Sequence, residues 1–548
     1  MMKKKQLLVH GGNIITMDEN NIVEAVAVEE GTIIETGNME QCRQSLTGGF
    51  EEIDLKGKTM LPGFIDPHVH FLYTGMLTSW ADLTYPNCKS IGDMIRILKE
   101  YAKTLPEDVV ICGYGFDQRK LLEERYPTTK DLDQVAADRK VKIMHISGHG
   151  IGVNSYYMQT MGIDKNTPDV DGGVIFRDQE GNLEGMFFDS AADHLVGENE
   201  VRIGNHGINC HAYYPMEMYL EYIKKAQDMA LAAGLTSINE VQVTRYEMSA
   251  YQEARKKGLL KSRLVSTYYS CYFDELKDLG MWPRIGDDKF MLNGLKLYAD
   301  GSLLSGTTFL KQGYKPWIKT AGHFFHKPQE LMDLIKDANA HGFQTLTHVT
   351  GNVAIDYIIQ AVREARAEHP EIHLRHRIEH CGLATEEQVA QMNELDIWPI
   401  PQPMHFHLYG KGVVQAVGET GEDYNPYGWF KKHNVPIVIS SDSPVSTPDV
   451  FTSIYTAVTR KTADNEVIGP HQKISIEDAL MGCTLNAAKA MHMEDKVGSL
   501  ECGKKADFLI VSDDPLTCDV EKIKDIEILE TWIDGKVEYT KGENYGKQ

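Results

Sequence analysis

Three things this chain has little of narrow its class. Its nine cysteines are odd in number, scattered, and contain no Cys-x-x-Cys pair. That argues against a disulfide framework and suits reduced thiols in a cytoplasm. No apolar run approaches the roughly 18–20 residues of a membrane-spanning helix. The N-terminus, MMKKKQLLVHGGNIITMD, starts basic, but His10, Gly11, Gly12 and Asn13 interrupt its apolar stretch, which argues against a secretion signal. Positive charge is scarce as well: 56 Lys and Arg stand against 79 Asp and Glu, a formal net charge of −23. Such a surface disfavours nucleic acid, whose phosphates need basic groups, and serves solubility. The expected partner is a small molecule, with neither nucleic acid nor membrane involved. A homodimer is the commonest symmetric state for such a protein.

What is present is ordinary for a soluble enzyme: 42% hydrophobic and 25% charged residues. At 548 residues the chain is too long for one core. The first sixty residues, with LLVHGGNIITMD, EAVAVEEGTIIETG and EEIDLKGKTMLPG, read as short strands punctuated by Gly and Asn. ADFLIVSDDPL and ILETWIDGKVEYTKG near the other end share that texture. The expectation is a small β-sandwich built from both termini, residues 1–60 and 495–548. The middle, residues 61–494, alternates β-branched runs with amphipathic helices such as MEMYLEYIKKAQDMALAAG and PQELMDLIKDANAHG. Eight such runs, from MLPGFIDPHVH to VPIVISSDSP, predict an α/β fold, a (β/α)8 TIM-type barrel. The gap after strand one is too long for a loop. Residues 75–214 are therefore expected to form an inserted subdomain beside the barrel mouth.

GFIDPHVH carries the chemistry. His68 and His70 lie two apart after an apolar run, so on a strand they share a face. Two imidazoles side by side make half a metal site. Alone the pattern is weak, but other ligand types end later strands. In a (β/α)8 barrel, strand C-terminal ends meet in space. Read in order, they offer His68 and His70 on strand one, Lys296 on strand four, His348 on five, His380 on six and Asp442 on eight. Four imidazoles and a carboxylate suit zinc or a similar divalent ion. Lys296, in GLKLYADGS, is the odd member, since an ammonium repels a metal. A buried lysine can lose its proton, and the neutral amine can then capture carbon dioxide as a carbamate that bridges two ions. The plainer alternative pairs Lys296 with Asp300.

These motifs resemble the amidohydrolase superfamily, in the branch called amidohydrolase family 3, which includes N-substituted formamide deformylases. GFIDPHVH, LKLYADGSL, THVTGN, HRIEHC and SSDSPV are similar to its strand-end motifs, and the tail from ISIEDALMGCTLNAAKAM to ADFLIV to its ending. Within the insertion, DLDQVAADRKVKIMHISGHGIGVNS and GGVIFRDQEGNLEGMFFDSA resemble this branch, except that Asp189 stands where Glu is expected. The resemblance implies hydrolysis of a carbon–nitrogen bond other than a peptide bond. It implies that His68, His70 and Asp442 hold one ion and His348 and His380 a second, with carbamylated Lys296 between them. Asp442 is implied as general base, then general acid. The alternatives are one ion in place of two, a mononuclear deaminase, an esterase or lactonase of the same superfamily, and a non-enzymatic metal-binding relic.

Other residues are weaker candidates. His149, in SGHGIGVNS, is a substrate contact or a structural histidine, and substrate is preferred. Glu379 alternates with His380 and is expected to pack outward in an ion pair. Asp300 is expected to serve a turn. His405 and His407, after strand seven near the mouth, are expected to be surface or packing residues, with a substrate-facing role the alternative, and His323 and His326 not to be ligands. Trp80, Tyr114, Phe116 and Trp317 line an apolar pocket or simply pack.

Overall fold

The structure, a computed structural model, describes residues 5–18, 21–197, 200–210, 214–303, 305–315 and 322–542. Trp317 lies outside the described residues. Seven parallel strands form the central sheet in sequential order: β1 (Phe64–Val69), β2 (Leu235–Val243), β3 (Arg263–Tyr269), β4 (Phe290–Tyr298), β5 (Gln344–Val349), β6 (Arg377–His380) and β7 (Trp398–Ile400). These strands are almost wholly buried, as expected of parallel strands covered by helices. Met216–Ala232 and Pro328–Ala340 are two of those helices, where the amphipathic patterns predict them. Gly63 allows the close start of β1, because a Cβ there would lie 2.2 Å from Thr236 Oγ1.

The expected eighth strand is present as a segment without ladder pairing. Residues 435–441 have no regular strand assignment, yet Asp442 N donates to His68 O (2.9 Å) and His70 N to Ser443 O (2.9 Å). On the β7 flank the contacts pass through side chains: Gln402 Nε2 donates to Ser440 Oγ (2.9 Å), and Ser440 Oγ to Pro401 O (3.1 Å). The reason lies in β7 itself. Trp398 N donates back to His376 O, so the alternate positions 399 and 401 would aim their N–H groups at the eighth segment. Both are proline and have no N–H to give.

Both chain ends enter one eight-stranded sheet. Thr59–Pro62 pairs antiparallel with Phe508–Val511 and parallel with Gln6–Ile15. Alternation separates Leu7 and Val9, which pack with Phe508 and Trp532, from Leu8, which packs with Cys42 and Leu46 on the other face. Arg263, fully buried where β3 starts, bonds Asp507 through Nε (2.7 Å) and Nη2 (2.9 Å) and also pairs with Asp534. This joins the terminal sheet to the barrel end away from the site. The stretch after β1 carries a six-stranded sheet from Ala81 to Asp189, with its own apolar cluster around Leu83, Phe116, Ile143 and Phe188. Among the described residues no helix is long and apolar enough to cross a membrane.

Candidate active site

The strand ends bring the six expected residues together. Asp442 Oδ1 lies 3.4 Å from His68 Nε2 and 3.1 Å from His70 Nε2, and Oδ2 lies 3.9 Å from His380 Nδ1. The His348 and His380 rings are 4.5 Å apart, and those of His68 and His380 4.8 Å. His68, His380 and Asp442 each offer a ligand atom within 4.8 Å of the others. His70, Lys296, His348, His380 and Asp442 line one cavity, and Lys296 Nζ is 5.0 Å from the centre of the Tyr298 ring. Lys296 is fully buried and does not pair with Asp300. Asp300 instead accepts the N–H groups of Thr350 and Gly351 (both 3.0 Å), tying the loop after β4 to the end of β5 that carries His348. It therefore does more than serve a turn. Burial pushes its carboxyl up to about 8.

Neighbouring groups decide which nitrogen each histidine offers. His68 Nδ1 bonds the Glu379 carboxylate, His348 Nε2 bonds the Gly301 carbonyl (3.2 Å), and His380 Nδ1 bonds Gln402 Oε1 (2.8 Å). Gln402 Nε2 donates to Ile400 O and Ser440 Oγ, which turns Oε1 toward His380. These oxygens accept, so the histidines donate, leaving His68 Nε2, His348 Nδ1 and His380 Nε2 with free lone pairs. Outer partners of this kind fix the tautomer of a metal-binding histidine. Burial drives His70 down to about 4 and holds His348 and His380 far below the ordinary histidine range, so these rings are neutral and able to ligate. Burial would raise the Asp442 carboxyl, but His68 and His70 hold it well below the usual range. Burial also brings Lys296 down to about 8 against the pull of Glu379 and Asp442.

Glu379 departs from the sequence expectation. It is ion-paired with Arg377 (2.7 Å), as expected, but both are fully buried in the barrel interior rather than outside it. Arg377 also bonds Asn239 Oδ1 (2.8 Å) and Pro67 O (2.7 Å). Alternation fails at the strand end because His380 has φ +67°, a left-handed conformation that turns its ring back toward the site. Asp442 and Asp189 have φ +56° each. Glu379→Ala should cost about 3–5 kcal/mol, since it strands a buried guanidinium, and should lower metal affinity about 10- to 100-fold by freeing His68. Denaturant unfolding and a zinc titration would check both, and Glu379→Gln, which keeps an acceptor for His68, should recover part of the metal affinity.

His405 stands at the site. It is buried, and its Nε2 lies 3.5 Å from Asp442 Oδ2. His405 and His407 sit on the helix Pro403–Val417, not on a strand, so residues two apart face different ways. His407 bonds Lys461 O instead. His149 reaches the cavity beside His348, ring centres 5.0 Å apart. Asp189, fully buried, holds His149 Nδ1 at 2.5 Å and His323 Nε2 at 3.1 Å. The shorter carboxylate is thus the group that sets the His149 ring. His326 bonds Asn205 (3.0 Å), away from the metal-ligand candidates. Trp80 and Tyr114 line a second cavity, while Phe116 packs against His145.

A barrel with this histidine-rich, carboxylate-bearing mouth is the architecture of a metal-assisted hydrolase. The chain belongs to the amidohydrolase family, whose model matches residues 51–539. It is 29% identical over 547 residues to the putative amidohydrolase YtcJ of Bacillus subtilis (strain 168), covering 97% of this chain and 99% of that protein. It is 26% identical over 549 residues to the N-substituted formamide deformylase of Arthrobacter pascens, covering 98% and 99%. The crystal structure of an uncharacterized metal-dependent hydrolase from Pyrococcus horikoshii OT3 superposes with a TM-score of 0.75 at 26% identity, over 94% of this chain and 99% of that one.

Proposed function

We propose that this protein hydrolyses an amide-like C–N bond at a site that holds two divalent ions, zinc or similar. One observation carries the reading. His68 Nε2, His70 Nδ1, Lys296 Nζ and Asp442 Oδ1 are buried and without a hydrogen bond among the described residues. Four such polar atoms, on residues carried at the barrel mouth, are costly unless something binds them. Imidazole, carboxylate and carbamate donors suit a divalent ion. His68, His70 and Asp442 would hold one ion and His348 and His380 the other, with Lys296 between them as its carbamate. Such ions, when bound, polarise a carbonyl and bring the pKa of water toward neutrality.

The chain's own groups do the rest. Asp442 takes a proton from the attacking water at Oδ2 and delivers it to the leaving nitrogen. His405 steadies that oxygen. His149, aimed by Asp189, contacts the substrate carbonyl. The N-substituted formamide deformylase relative makes N-substituted amides the first substrates to screen.

A one-ion reading draws on the compactness of His68, His380 and Asp442, which the two-ion reading divides between ions. Elemental mass spectrometry after reconstitution with zinc and bicarbonate separates the two. About two ions per chain with amide turnover fits the proposal. About one moves the assignment to a mononuclear hydrolase. No bound metal and no turnover defeats it.

A further inference from the structure

One wall of the site cavity carries a hydrogen-bond donor that the proposed chemistry does not use. Gln242 is the last residue but one of β2 and lines the cavity together with Lys296, His348 and Asp442. A bulge puts it there. From Glu240 to Val243 the chain takes three steps on β2, while its partner takes two, Ser266 to Tyr268, on β3. An extra residue at such a place re-aims a side chain, and Gln242 lies within the irregular stretch.

The orientation of its amide is set from another strand. The Tyr298 hydroxyl, at the end of β4, donates to Gln242 Oε1 (2.6 Å). Tyr298 is itself held by its ring, which stacks on His348 with centres 4.8 Å apart. An amide accepts at one end and donates at the other. With Oε1 committed, Nε2 is the free end. Gln242 is 3% exposed, and its Nε2 makes no hydrogen bond among the described residues.

Two hydroxyls on the same cavity have already given their protons away. Tyr114 donates to Pro444 O (2.9 Å). Ser147 donates to His145 Nδ1 (2.7 Å), because the other ring nitrogen of His145 donates to Gln118 Oε1 (2.8 Å). Leu77, Met144 and Ile208 give the cavity an apolar lining. A bound molecule that displaces water there leaves the Gln242 nitrogen unpaired, at a cost, unless it brings an acceptor of its own.

We infer that Gln242 is a specificity-determining residue whose Nε2 donates to an oxygen acceptor of the substrate. The scissile carbonyl is assigned to His149 and the metal site in the reading above, on which this inference rests, so the acceptor is a second oxygen. The substrate class narrows to amides that carry an ether, hydroxyl or further carbonyl oxygen beside the reacting group.

The test uses the zinc-loaded full chain and pairs of substrates that differ by an oxygen in place of a methylene. N-methyl-2-methoxyacetamide against N-methylbutanamide puts the oxygen on the acyl side. N-(2-methoxyethyl)formamide against N-butylformamide puts it on the nitrogen side. The inductive pull of the oxygen is the same in every variant, so the kcat/KM ratio of each pair is read against that of Gln242→Leu, which has similar bulk and no donor. In at least one pair the wild-type ratio should favour the oxygen member by about 5- to 150-fold more than the variant does, the range for a buried polar group left unpaired. Gln242→Glu keeps an acceptor for Tyr298 but has no N–H, so it should erase the preference as well, and it replaces the leucine variant if that one does not fold. Ratios that match in wild type and variant for both pairs overturn the inference. If no amide is turned over, the hydrolase reading fails on its own. Gln242 is then judged by saturation-transfer NMR of the same pairs: tighter binding of an oxygen member that the substitution erases upholds the inference, and equal or absent binding rejects it.

Discussion

Asp442→Asn should leave the fold intact and lower kcat by about 10²–10⁴-fold, the usual contribution of a positioned acid–base group. Asn keeps the shape and one oxygen but cannot carry a proton. Its neighbours are already neutral or committed: His70 and His405 are driven to about 4 by burial, and Glu379 is bound to Arg377 and His68. None can take over. Far-UV circular dichroism alongside single-turnover kinetics would check this, and near-normal turnover would remove Asp442 from the proton path. The metal-free chain offers a second readout. The Asp442 carboxyl is held below its ordinary 3.8 in the fold. Its stabilisation is therefore present above that pH and lost as pH falls through and below it. Asp442→Asn should flatten the acid limb of the thermal stability profile.

Lys296→Ala should lose metal and activity together, and short carboxylic acids such as acetate or propionate should restore part of both by standing in for the carbamate. Lys296 Nζ is buried without a hydrogen bond among the described residues, and burial brings it to about 8 from an ordinary 10.5. A lysine so placed has a substantial neutral fraction near pH 8, and only the neutral amine captures carbon dioxide. The sign is definite: at constant dissolved CO₂, activation of the metal-free chain by zinc should strengthen from pH 7 to pH 9. A fully active, metal-replete Lys296→Ala enzyme would defeat the bridging role. So would activation indifferent to CO₂ at every pH.

Much of the barrel is legible from local pattern. A buried parallel strand is a short β-branched run, and the residue types that end these runs are the ones the mouth gathers. The terminal strands, too, are marked by alternation, as Leu7, Leu8 and Val9 show by dividing between two faces. Even the missing ladder at the eighth segment is written in DIWPIP, because prolines at 399 and 401 remove the N–H groups on that edge.

Elsewhere alternation misleads. It sends Glu379 outward, whereas His380, at φ +67°, is the residue that leaves the pattern. Nor does the spacing of His405 and His407 reveal that helical periodicity separates the two rings and leaves His405 beside Asp442. What the sequence by itself determined is the strand framework and the inventory of ligating groups, because both depend on residue type and on periods of two and 3.6. Only the tertiary structure decided that Glu379 sets His68, that Asp189 joins His149 to His323, and that Tyr114 lines both the site cavity and the one beside it. Those facts depend on backbone turns at strand ends and on contacts across hundreds of residues, such as His68 with Glu379, and no local period encodes either.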